Sequence, residues 1–177
     1  MKMDHITRRA RILAAMTTVF MILVPVTGLI VLATGGVDRD TLRATYGVTQ
    51  MPEVLAAGPT FVWIGVEAGR MALFLWVLWR VRGWLIACAD GAVFAGQTAR
   101  HVQRIGTGLV ALAVAHVLGN TVIVAALTWD NPVGQRSLSI GFGSSECLLL
   151  LAAGLMTLFG WIQAEAARLA AENESFV

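Results

Sequence analysis

Charge is scarce in this chain of 177 residues. Asp, Glu, Lys and Arg make up 14% of it, against about 25% in soluble domains, while 57% is hydrophobic and the mean hydropathy is +0.73. That composition excludes an ordinary soluble domain and reads as an integral membrane protein. The net charge of +2 is too small to draw nucleic acid by bulk electrostatics, so no direct nucleic-acid partner is expected. Cysteine is nearly absent. Cys88 falls in a loop and Cys147 in the outer half of an apolar stretch, depths that do not meet, so no disulfide forms within a monomer. No nucleophile, paired catalytic carboxylates or phosphate loop stands in a suitable context, and the chain is not expected to be an enzyme. The first apolar run exceeds the roughly 7 to 15 residues of a signal-peptide core, and no A-x-A site follows it. It is read as a retained helix.

What is present is length of apolar sequence. Four stretches, at about 12–33, 60–82, 105–127 and 138–162, are long enough to cross a bilayer. They predict an all-α membrane protein with one four-helix bundle. Pro25 should kink the first stretch, with Thr27 and Gly28 placed where the freed backbone groups can be re-satisfied. An outer loop over 35–58 has room for short helices around Asp38 to Tyr46 and Pro52 to Ala57, and Gly58-Pro59 opens the second span. A cytoplasmic loop covers 83–104, TWDNPVGQR makes a hairpin turn, and the tail over 163–177 keeps a helix-forming composition. Lys2, Arg8, Arg9, Arg11, Arg80, Arg82, Arg100, Arg104 and Arg168 collect on one side, against Arg39, Arg43 and Arg136 on the other. The positive-inside rule therefore puts both termini and the middle loop in the cytoplasm. Trp63 and Trp129 then fall near the outer boundary, with Trp79, Trp84 and Trp161 near the inner one.

The second stretch carries Glu67 and Arg70, which cost several kcal/mol in hydrocarbon unless partnered. At 1.5 Å of rise per residue, Glu67, Arg70, Asn120 and Glu146 fall roughly 9 to 13 Å below the outer edge, with His116 near the midplane. Glu67 and Arg70 are spaced i, i+3, and His116 and Asn120 i, i+4, so each pair shares a helix face. One reading is a structural network that sets helix register. The other is a site for a small ligand or a proton. A lone intramembrane histidine does not supply a haem's two axial ligands, and His116 with Glu67 or Glu146 is a poor metal set. No cofactor is expected. Gly65 and Gly69 form a G-x-x-x-G that predicts close helix packing within the bundle, alongside Pro25.

Arg100 and Arg104, spaced i, i+4 at the entry to the third span, read either as contacts to lipid phosphates or as a docking surface shared with the acidic tail, Glu165, Glu172 and Glu174. Gly91-Ala-Val-Phe94, then Ala99-Arg100 and Arg104-Ile105-Gly106, resembles the bacterial membrane family called domain of unknown function 2975. The acidic ending from Glu172 to Val177 is similar to that family's. Gln97 and Thr98 stand where an acidic residue and Asn are common there, and Ser175-Phe176 replace a Leu-Thr pair. The resemblance implies a four-helix inner-membrane protein without established enzyme activity, often encoded beside a small helix-turn-helix regulator. It thereby implies holding or sensing for transcription control, with Arg100, Arg104, Glu172 and Glu174 as the contacts. An accessory subunit of a larger membrane complex fits the small soluble parts equally well.

Overall fold

The computed structural model describes residues 3–34, 38–48, 52, 57–91, 96–132 and 135–174. The order is α1 (Met3–Ala33), α2 (Arg39–Tyr46), α3 (Ala57–Ala89), α4 (Gly96–Leu127) and α5 (Ser144–Glu174), with no strand among the described residues. Four of the five, all but α2, are long and apolar enough to cross a membrane.

The helices overrun several predicted ends. α3 and α4 extend through most of the expected loop at 83–104, so that only 90–95 separates them. In α1, the helix continues through Pro25. Thr27 does not serve the carbonyl that Pro25 frees, which is Met21's; its hydroxyl bonds the carbonyls of Leu23 at 3.1 Å and Val24 at 2.8 Å instead. α2 forms where its signals put it: Asp38 caps it by accepting the Thr41 amide at 2.8 Å, and Gly47 ends it at φ +64°. Hydrogen bonding from the Thr41 hydroxyl, and after it from the Thr41 amide, holds the Asp38 carboxyl below its usual range. The expected short helix from Pro52 to Ala57 falls mostly outside the described residues.

α5 departs most from expectation. It starts at Ser144, not Leu138, and the apolar residues Leu138, Ile140 and Phe142 lie in a non-helical, exposed run. Gly141 and Gly143 interrupt helix propensity there, and the Glu146 carboxylate bonds the Gly143 amide at 2.8 Å, a capping-box contact that fixes the start.

The long helices pack in sequence order as a row. α3 packs between α1 and α4, and α4 between α3 and α5, while α1 and α5 share no extensive contact. Glycines at four α4 and α5 positions permit the close approaches. A Cβ at Gly106 would collide with Thr157; at Gly160 it would come 2.7 Å from Gln103, and at Gly108 2.7 Å from Val77. Gly65 and Gly69 do not pack the bundle. A Cβ at either meets nothing within 4 Å, because both sit one residue before Val66 and Arg70, about 100° away from the face that meets α4. Leu42 and Val48 pack with Ile123, Val124 and Leu127, which seats α2 across the ends of α3 and α4.

Candidate functional site

Arg70 is a buried charge at the centre of the site, with 8% of its surface exposed. Its Nη1 donates to Glu67 Oε1 at 2.6 Å, closing the i, i+3 pair on α3. The other donors cross to α4: Nη2 to Asn120 Oδ1 and to the His116 carbonyl, both at 2.9 Å, and Nε to the Ala115 carbonyl at 3.3 Å. The crossing is possible because position 119 has no side chain. A Cβ there would lie 2.5 Å from Arg70 Nη2 and 2.8 Å from Nε.

Glu67 receives a second donor on the same oxygen, the Tyr46 hydroxyl at 2.9 Å, and Tyr46 in turn accepts from the Trp63 indole N–H at 3.1 Å. A single hydrogen-bonded line therefore runs from Trp63 through Tyr46, Glu67 and Arg70 to Asn120. His116 and Glu146 form a flanking pair, Nδ1 to Oε1 at 3.8 Å. Glu146 joins the layer from the first turn of α5, and its oxygens meet His116 and the Gly143 amide. His116 lies eleven residues before the end of α4, about 16 Å, and just past that end Thr128 bonds Ser137 of the non-helical run.

A cavity of about 720 Å³ opens on this line. Val24, Thr27, Gly28 and Val31 of α1 form its apolar wall, opposite Glu67, Arg70, His116 and Asn120. Pro25 borders an adjoining cleft of about 290 Å³ with Ile64 and Met71. The Glu67–Arg70 pair compensates its own charge, so the cavity offers hydrogen-bond donors and acceptors in a largely apolar enclosure. Among the described residues no three His, Cys, Asp or Glu side chains come together to hold a metal. Cys88 is buried and Cys147 exposed, both free.

Tyr46 and Trp63 are the members that sequence reasoning missed. Tyr46 was assigned to a water-exposed loop helix and Trp63 to a boundary belt. The signal for Tyr46 was its place in the last turn of a well-capped helix whose apolar side also carries Leu42, a face that needs a seat. Arg100 and Arg104 are exposed on α4. They do not share a surface with Glu172. Gly160 of α5 meets Gln103 of α4, and α5 runs about 18 Å further before Glu172, which lies 3.6 Å from Arg168. The Glu174 side chain lies outside the described residues.

Burial, and after it the hydrogen bond to Glu67, pushes the Tyr46 hydroxyl above its usual range. Raised folded pKa means that the bond contributes fully below the unfolded value of about 10 and is lost as pH rises through the higher folded value. Tyr46 is the only tyrosine, so absorbance at 295 nm reports it alone. We expect a midpoint above 10, moved down but not to the free value in Glu67→Gln. A midpoint at the free value in the native protein would show that Tyr46 does not reach Glu67.

No family model matches the chain, and neither does any curated protein or solved structure. The resemblance to the domain of unknown function 2975 rests on its short motifs.

Proposed function

We propose that the four long helices cross a bacterial inner membrane, with both termini cytoplasmic, and that the protein is a non-enzymatic binder of a small amphipathic molecule. The observation that carries this reading is the cavity between α1 and the Trp63-to-Asn120 line, apolar on one side and lined by convergent polar groups on the other. A self-compensated ion pair favours a neutral, hydrogen-bonding head over a charged one. The apolar wall, supplied by a helix that packs on α3 alone, suits a body that enters from the lipid.

The reading as a holder of a soluble regulator, or as an accessory subunit, draws on the exposed Arg100 and Arg104. Its acidic half is weakened, since Glu172 is engaged by Arg168.

One preparation separates these readings. The protein is purified from native membranes in mild detergent, and both small molecules and proteins that co-elute are identified by mass spectrometry. We expect one amphipathic compound near stoichiometry, lost in Gly28→Phe. A Cβ at Gly28 makes only an ordinary 3.5 Å contact with Met71, so the backbone there admits a side chain, and the ring is expected to fill the cavity that Gly28 lines. A stoichiometric DNA-binding protein, released by charge reversal at Arg100 and Arg104, would replace ligand binding with regulator binding. An empty native protein that Gly28→Phe leaves unchanged would remove the ligand reading.

A further inference from the structure

At the opposite end of the α3–α4 contact, two stripes of residues face one another. Along α3 run Leu73, Trp76, Arg80 and Gly83; along α4, antiparallel, run Ala111, Gly108, Arg104 and His101. Two contacts fix the register. A Cβ at Gly108 would lie 2.8 Å from the Trp76 ring, and one at Gly83 would lie 3.4 Å from His101 Cε1. Arg80 and Arg104 occupy the level between these contacts, one on each helix, and both are near enough to His101 to act on it electrostatically.

Like charges held this way repel unless an anion stands between them. Among the described residues neither arginine forms an ion pair. The nearest carboxylate along that part of the chain, Asp90, just past the end of α3, is ten residues beyond Arg80, about 15 Å away. Arg80 lies over the Trp76 ring at 5.1 Å from its centroid, and its Nε is buried without a hydrogen-bond partner, as is Nδ1 of His101. Two unsatisfied nitrogens and two cations without an ion pair therefore gather within about one turn of one interface.

Directly beyond them toward the apolar middle of the helices is a groove of about 460 Å³, lined by Leu73, Trp76, Thr107, Gly108 and Ala111. We propose that this end of the α3–α4 interface binds an anionic phospholipid, with the headgroup phosphate between Arg80 and Arg104 and an acyl chain in the groove. A phosphate accepts several charge-assisted hydrogen bonds from a pair of guanidinium groups, and basic pockets between membrane helices take anionic headgroups in this manner. The apolar groove distinguishes a lipid from a free oxyanion, which has no use for it. The Thr107 hydroxyl bonds the Arg104 carbonyl at 3.0 Å, which leaves the groove wall apolar.

The test is native mass spectrometry of the full chain in detergent, titrated with phosphatidylglycerol, phosphatidylcholine or inorganic phosphate. Phosphatidylglycerol is expected to be retained at least roughly tenfold better than phosphatidylcholine, and Arg80→Gln with Arg104→Gln to abolish that preference. The double variant relieves a repulsion and is expected to keep its thermal transition. Ala111→Phe supplies an independent readout should it not, because it blocks the exposed groove and leaves both arginines. It is expected to lower phosphatidylglycerol retention. Equal retention of the two lipids, an unchanged preference in the double variant, or displacement of phosphatidylglycerol by millimolar inorganic phosphate would each overturn the assignment.

Discussion

Arg70→Met is expected to lower stability by about 3 to 5 kcal/mol, the range measured when one partner of a buried charge network is removed. The substitution keeps the unbranched stem and deletes only the guanidinium. Four acceptors lose a donor at once: the Glu67 carboxylate keeps one, Tyr46, while the Asn120 side-chain oxygen and the two α4 carbonyls lose the cation that reaches across to them. The loss also loosens α3 from α4, since these bonds cross the interface near one end of the cavity. Replacing Glu67 as well, by Met, is expected to restore part of the stability, because it removes the stranded charge. Thermal unfolding in detergent, or titration with a denaturing detergent, measures both variants. A single variant as stable as the native chain would mean that Arg70 does not sit among the α4 carbonyls.

The same experiment weighs structure against ligand binding, because the network serves both. Arg70, 8% exposed and engaged by four acceptors, is a structural tie. Glu67 and His116 are more open, each with nearly two-fifths of the side chain exposed, and both line the cavity. A variant that strips the tie should unfold the site, whereas Gly28→Phe should empty it without unfolding. The two outcomes together separate a scaffold from a receptor.

Much of this was legible before any coordinates. Hydropathy marks the four apolar stretches because twenty consecutive apolar residues have few other uses. Spacing pairs Glu67 with Arg70 and puts His116 and Asn120 on one face, because both follow from 3.6 residues per turn. What spacing leaves open is rotation. Gly65 and Gly69 read as a packing motif, yet they face away from α4, and the glycines in contact, Gly106, Gly108, Gly119 and Gly160, make no such regular pattern within one helix. Hydropathy is equally blind to conformation. Leu138, Ile140 and Phe142 lengthen the apolar stretch, so hydropathy begins the helix six residues early and puts Glu146 well inside it, whereas Glu146 stands in the first turn and caps it. Gly141 and Gly143 carried the contrary signal. Tyr46 was out of reach for a different reason. Its partners are 17 and 21 residues away on another helix, and no local period links them.

Gly119→Ala is the smallest change with a large expected effect. A methyl group in a helix interior ordinarily stabilises by roughly 0.5 to 1 kcal/mol relative to glycine. At this position the added carbon would lie 2.5 Å from Arg70 Nη2, 2.8 Å from Nε and 2.8 Å from a Val66 methyl. Arg70 cannot yield cheaply, since each direction of retreat breaks a bond to Glu67, Asn120 or a carbonyl of α4. The net cost is expected to be about 2 to 4 kcal/mol, combining the strain of overpacking with partial loss of the network. Because the methyl acts by expelling the guanidinium, its cost should shrink once that group is gone. In the Arg70→Met background Gly119→Ala is expected to cost at least about 1.5 kcal/mol less than in the native chain, a non-additivity within the range for residues in direct contact. Additive costs in that cycle would show that Gly119 answers to Val66 alone, and that the guanidinium does not lie over it.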